Sequence, residues 1–209
     1  MSALQARFAP RKQPVQKRSR MTVDTLLEAT AQVLVSSGYE RASTDAIAAR
    51  AGVSIGTLYQ YFPNKASLVA ALIRQHVDEV LYLVETALAE HEGSPLDTTL
   101  RALVRAGIEA HRLNPPLHKV LFEQVPTEQI LGQAPDVSSR LQAMIEAVLR
   151  RKLPGISRTR TRTVALVLET SIEALTHRAV VEAPDWLRSG ALEKEAVALL
   201  KPYLLQALR

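Results

Sequence analysis

Apolar residues recur along this chain at spacings of three and four almost from end to end, and no stretch alternates in the two-residue rhythm of a half-buried strand. Leu26, Leu27, Thr30, Val33 and Leu34 line one face of a first helix that Gly38 stops. Ser43 or Thr44 caps a second helix that closes at Gly52, and Ser54 caps a third running to about Phe62. Pro63 and Asn64 separate it from a long fourth helix carrying Leu68, Leu72, Ile73, Val77, Val80, Leu81, Val84 and Leu88 at helical spacing. Glu92-Gly93-Ser94-Pro95 breaks the chain there. Later breaks are expected at Asn114-Pro115-Pro116, Pro126, Gln133-Ala134-Pro135, Pro154-Gly155 and Pro184-Asp185. Two more long helices follow, about 158 to 181 and 190 to 209, the last expected to kink or restart at Pro202. The pattern predicts an all-α chain, with a three-helix head at residues 21–66 and a larger helical body at 67–209.

Composition narrows the class. The chain of 209 residues is 47% hydrophobic and 22% charged, and no apolar run nears the roughly 20 residues that span a bilayer, so no membrane role is expected. It lacks cysteine, which excludes disulfides and fits a reducing cytoplasm. The net charge of +5 is unevenly placed. Arg7, Arg11, Lys12, Lys17, Arg18 and Arg20 fall in the first 20 residues with no acid, so the rest of the chain is close to neutral. This segment, residues 1–20, holds too few apolar residues to fold alone. It reads either as an arm lying on DNA phosphates or as a solvated tail.

Within the head, Ala48 stands where two helices can cross closely, and Gly52 falls in the turn between them. Ile47, Ala51, Val53 and Leu58 supply apolar contacts. Two short helices joined by such a turn are a common way to set a helix in the major groove, although an ordinary helical hairpin also favours Ala and Gly at crossings. The outer face of the third helix tips the balance. Only 4% of the chain is aromatic, yet Tyr59, Tyr61 and Phe62 fall together beside Ser54, Thr57 and Gln60. Phe62 belongs in the core, whereas phenol and alcohol hydroxyls donate to phosphates and short polar side chains reach base edges. Lys65 opens the fourth helix, where its ammonium and backbone N–H groups can share a phosphate.

Gly38-Tyr39, Thr44, Ile47-Ala48, Ala51-Gly52-Val53-Ser54, Gly56-Thr57-Leu58-Tyr59, Tyr61-Phe62 and Lys65 together resemble the DNA-binding head of the TetR/AcrR transcriptional regulators, over about residues 21–70. The resemblance implies an all-helical homodimer that binds a palindromic double-stranded operator, usually as a repressor, and is released by a small-molecule effector. By position it implies that Thr44, Thr57, Tyr59, Tyr61 and Lys65 hold phosphate, and that Ser54, Ile55, Gly56 and Gln60 approach bases. Ile55 is apolar where many relatives are polar, and suits either a thymine methyl or fewer base contacts.

The body names no ligand. Its last two long helices correspond in order to the family's dimerisation pair, with Val164, Leu168, Ile172 and Leu175 on one stripe and Leu192, Val197 and Leu200 on the other. Either stripe serves a monomer core equally well. Ligand-binding candidates are Arg105, His111, Phe122, Glu169, Glu173 and His177, with Arg112, His118, Glu123 and Trp186 as further polar or amphipathic residues on apolar helices. Glu169, Glu173 and His177 follow one another at four-residue steps, a spacing that suits a plain surface Glu–His pair, a ligand anchor or a metal. No metal and no cofactor is assigned. No phosphate loop, metalloprotease helix or nucleophile elbow is present, so neither a catalytic residue nor an enzyme is expected. The rival readings are an architectural protein that coats DNA without an effector and, more remotely, a small-molecule-transforming enzyme.

Overall fold

The computed structural model describes residues 17–126, 130 and 137–207, and contains no strand among them. The expectation of a basic arm on DNA, and the break at Gln133–Pro135, fall mostly or wholly outside the described residues. The chain divides into two compact units. The first runs to His76 and includes 116–134. The second comprises Val77–Pro115 and everything from Pro135 onward. Among the described residues no helix is long and apolar enough to cross a membrane.

The first unit contains α1 (Lys17–Arg41), α2 (Thr44–Ala51), α3 (Ile55–Tyr61), the opening turns of α4 (Lys65–Glu90) and most of α6 (Pro115–Glu123). Each boundary has a local cause. Gly38 breaks α1 at φ 76°, leaving one more turn to Arg41. The Ser43 side chain accepts from the Ala46 N–H to start α2. Gly52 ends α2 in the left-handed region (φ 67°, ψ 29°), where its N–H and that of Val53 reach back to Ala49 and Ala48. Asn64 and Ser67 cap α4 reciprocally: the Asn64 carboxamide accepts from the Ser67 N–H, and the Ser67 hydroxyl accepts from the Asn64 N–H. Leu26, Leu34, Ile47, Leu58, Phe62 and Leu68 form the core between these helices. Each contributes about 1.5–3 kcal/mol by leaving water, which sets α3 firmly on α1 and α2 with its other face outward. The His118 ring of α6 lies 5.9 Å from that of His76 and 6.3 Å from that of Phe122.

The second unit holds the remainder of α4, α5 (Leu96–Arg112), α7 (Val137–Lys152), α8 (Arg158–Glu182), α9 (Pro184–Ser189) and α10 (Ala191–Ala207). Its core joins Val84 and Leu88 to Leu100, Leu103, Ile145, Leu149, Val164, Leu168, Ile172, Val197 and Leu200. Both stripes read as core or dimer faces therefore lie in the monomer core, except for partly buried Leu175. Helix α10 runs through Pro202 without interruption, against the expected restart. Its buried Val197, Leu200 and Leu204 outweigh the missing hydrogen bond. Lys152, the last residue of α7, donates to the carbonyls of His91, Glu92 and Ser94 and so ties down the α4–α5 turn.

Candidate nucleic-acid interface

Helix α3 is seven residues long, about 10 Å at 1.5 Å per residue, and fits within a major groove about 12 Å wide. Leu58 faces inward and is wholly buried, while Ser54, Ile55, Gly56, Tyr59 and Gln60 are exposed and Thr57 and Tyr61 are partly so. All of the expected DNA-contacting residues in this segment thus share the outer surface of one rigidly seated helix and its flanks.

Their hydrogen bonds separate their roles. The Ser54 hydroxyl oxygen accepts from the Thr57 N–H at 3.0 Å and lies 2.8 Å from the Thr57 hydroxyl. Ser54 is therefore the N-cap of the helix as well as part of its outer face. Gly56 has no steric reason to be glycine: a Cβ built there meets nothing nearer than Ser54 Oγ at 3.8 Å. Its bareness leaves the backbone of the first turn open to close approach. The Tyr59 hydroxyl sits 3.1 Å from that of Thr44, the first residue of α2. The pair forms a hydroxyl cluster with a proton to give to a phosphate oxygen.

Lys65 also has partners within the head. Its ammonium donates to the carbonyls of Tyr39 (2.7 Å) and Glu40 (3.3 Å), in the last turn of α1, and lies 4.4 Å from the centre of the Tyr39 ring. Exposed carbonyls at a helix C-terminus carry partial negative charge, which draws the cation there. An ammonium has three N–H donors, so one remains for a phosphate. Burial, with a smaller push from Glu40, raises the Tyr39 phenol above its ordinary range, which keeps it a donor.

Two residues that the sequence reading did not assign to the interface support it from behind. Tyr39 holds Lys65, and its position after Gly38 in the motif was a usable signal. Gln124, just past α6, accepts from the Tyr39 N–H at 3.2 Å. Its carbonyl oxygen lies 2.7 Å from where a Gly38 Cβ would stand. No local pattern marks Gln124, because this contact joins residues 85 apart.

The ligand-binding candidates scatter. Arg105 pairs with Glu193, which holds its guanidinium above the ordinary range. Phe122 is exposed and stacked on His118 in the first unit. Glu169 is buried and turned to α7, accepting from Ser138 (2.7 Å) and Gln142 (3.0 Å). His111, Glu173 and His177 do come together in the second unit. A separate apolar cavity in the same unit, lined by Leu88, Leu103, Ile145 and Leu168 with Thr99 as its polar member, has a volume of about 20 Å³. That is room for about one water.

Known proteins match this architecture throughout. Residues 26–72 match the family described as bacterial regulatory proteins, tetR family, and residues 95–204 match the tetracyclin repressor-like C-terminal domain. The chain is 33% identical over 147 residues to the HTH-type transcriptional activator FasR of Mycolicibacterium smegmatis, covering 68% of this chain and 65% of FasR. It thus spans a little under two thirds of that relative. It is 30% identical over 143 residues to the nucleoid occlusion factor SlmA of Salmonella paratyphi B, covering 65% of this chain and 69% of SlmA. A solved TetR-family transcriptional regulator from Streptomyces coelicolor superposes with a TM-score of 0.64 at 26% identity, covering 90% of this chain and 99% of that one. A capped, outward-facing reading helix in the head and a matching regulatory body make one conclusion plain: the chain belongs to the TetR family and is a DNA-binding transcriptional regulator rather than an enzyme.

Proposed function

We propose that the protein works as a homodimeric repressor on a palindromic operator and is released by a small molecule. The observation that carries the DNA reading is the outer surface of α3, where Ile55, Gly56 and Gln60 stand exposed and the Tyr59 hydroxyl sits 3.1 Å from that of Thr44. Phosphate is held by Thr44, Thr57, Tyr59, Tyr61 and Lys65, and bases are approached by Ile55, Gly56, Gln60 and, within the limits of its capping role, Ser54. Two such helices related by a two-fold axis enter successive major grooves about 34–36 Å apart. Exposed Leu166 on α8 and Leu199 and Leu205 on α10 support self-association through the last two long helices.

The small cavity is lined by apolar side chains, and anything larger than a water must part them to enter. Release requires that the effector bind the free and operator-bound forms unequally, with coupling of about 1–3 kcal/mol. A shift of α4, through which the chain passes from one unit to the other, is the simplest carrier. Footprinting of the purified protein on its own promoter region, with sedimentation of the free protein, tests the reading. A discrete two-fold-symmetric footprint and a dimer are expected. Uniform protection of any duplex indicates instead a protein that coats DNA.

A further inference from the structure

Buried His111, near the end of α5, is aimed by its own helix. Its Nδ1 lies 2.8 Å from the Gly107 carbonyl oxygen, which can only accept, so Nδ1 donates there and Nε2 is turned to the opposite side of the ring. Gly107 also lets α5 press against α8: a Cβ there would stand 2.5 Å from Ile172 Cγ2. The close crossing delivers Nε2 to α8, where it meets Glu173 Oε2 at 3.5 Å and the Thr176 hydroxyl oxygen at 3.5 Å. The Thr176 hydroxyl already gives its proton to the backbone, at 2.7 Å from the Ile172 carbonyl. Nε2 of His111 thus lies 3.5 Å from each of two oxygens on α8. His177, one turn beyond Glu173, brings a second imidazole, and one donor atom from each of His111, Glu173 and His177 lies within 4.8 Å of the others.

We propose that His111, Glu173 and His177 bind a divalent transition-metal ion of the zinc class. A cation satisfies all three donors at once. The spacing suits it: ligand atoms about 2.0–2.1 Å from a tetrahedral centre lie about 3.4 Å apart, against 3.5 Å for His111 Nε2 and Glu173 Oε2. Two imidazoles and one carboxylate favour zinc, nickel or cobalt over magnesium or calcium, which prefer oxygen. Glu169, which shares a helix face with Glu173 at first reading, is held by Ser138 and Gln142 and takes no part. This site stands whether or not the operator reading holds.

The test uses the full chain, stripped with a chelator and titrated with Zn²⁺ against a chromophoric competitor, with Co²⁺ as a spectroscopic probe. One tight equivalent per chain and a visible Co²⁺ band of low coordination number are expected. Glu173→Gln and His177→Ala should each weaken Zn²⁺ binding at least about tenfold and abolish the band. His91→Ala, outside the trio, should change neither. Ring-nitrogen NMR covers His111 without mutating a buried residue, since Zn²⁺ should move its Nε2 resonance. The proposal is overturned if Zn²⁺ fails to saturate, if both substitutions leave binding intact, or if His111 is doubly protonated at neutral pH and indifferent to Zn²⁺.

Discussion

Replacing Gly56 with alanine should make the protein more stable and a worse DNA binder. The residue is exposed in the first turn of α3, and its backbone is not among the left-handed glycines. The added methyl meets nothing nearer than 3.8 Å, an ordinary van der Waals contact. With neither strain nor clash in the folded chain, alanine mainly restricts the unfolded one and adds about 0.5–1 kcal/mol. For a chain of this size that raises Tm by about 1–4 °C. Against DNA the same methyl stands on the surface that enters the groove. Forcing one extra carbon into a close-packed contact costs about 1–3 kcal/mol, or about 5- to 150-fold in Kd. Thermal unfolding by circular dichroism measures the first effect, and anisotropy of a labelled operator duplex at fixed salt measures the second. A stabilised variant with undiminished affinity would show that α3 does not approach DNA through its first turn. A destabilised one would refute the steric reading of α3 itself.

The other predictions concern the supports of that helix and the charges of the body. Lys65→Ala should weaken binding to all duplexes alike and lower the slope of log K against log salt by about one. A relaxed sequence preference with the slope unchanged would assign Lys65 to bases instead. Gly38→Ala forces alanine to φ 76° and ψ 168°, a region open essentially to glycine alone, and drives its Cβ to 2.7 Å from Gln124 Oε1, so chemical denaturation should show a loss of at least about 1–3 kcal/mol. Adding Gln124→Ala should restore only the part due to the clash. The Glu193 carboxyl is held below its ordinary range, first by its hydrogen bond from Arg105 and also by Arg101. A lowered carboxyl stabilises the fold above the ordinary carboxylate range and loses that contribution as pH falls through its folded-state value. Both arginines are well exposed, so Glu193→Gln should cost about 0.2–1 kcal/mol at pH 7 and progressively less as pH falls below the ordinary carboxylate range, as urea midpoints across pH will reveal.

The head was legible because its signals are local. Ser43, Gly52 and Ser54 each act on a backbone group within four residues, so their types and spacing mark the helix ends without any knowledge of the neighbours. The body hides its chemistry for the opposite reason. Each four-residue step turns a helix face by about 40°, and on α8 that is enough to send Glu169 to α7 and Glu173 to α5. Spacing made them one set; packing divides them. Likewise Val164 and Leu200 could not be given to core or dimer until the elements beside them were known, and both are buried in the monomer. Pro202 misled because its local penalty was weighed without the buried leucines on either side of it.

The cap at Ser54 bears on how such a regulator could acquire a new operator. Replacing an N-cap serine with alanine removes about 0.5–2 kcal/mol from the helix it starts, so most variants at this position would weaken the reading element while altering what it reads. Only threonine, asparagine and aspartate preserve the bond to the Thr57 N–H. Ile55 and Gln60 carry no such duty, and mutational drift in binding preference should run through them first, leaving Ser54 to change late and within a narrow chemical alphabet.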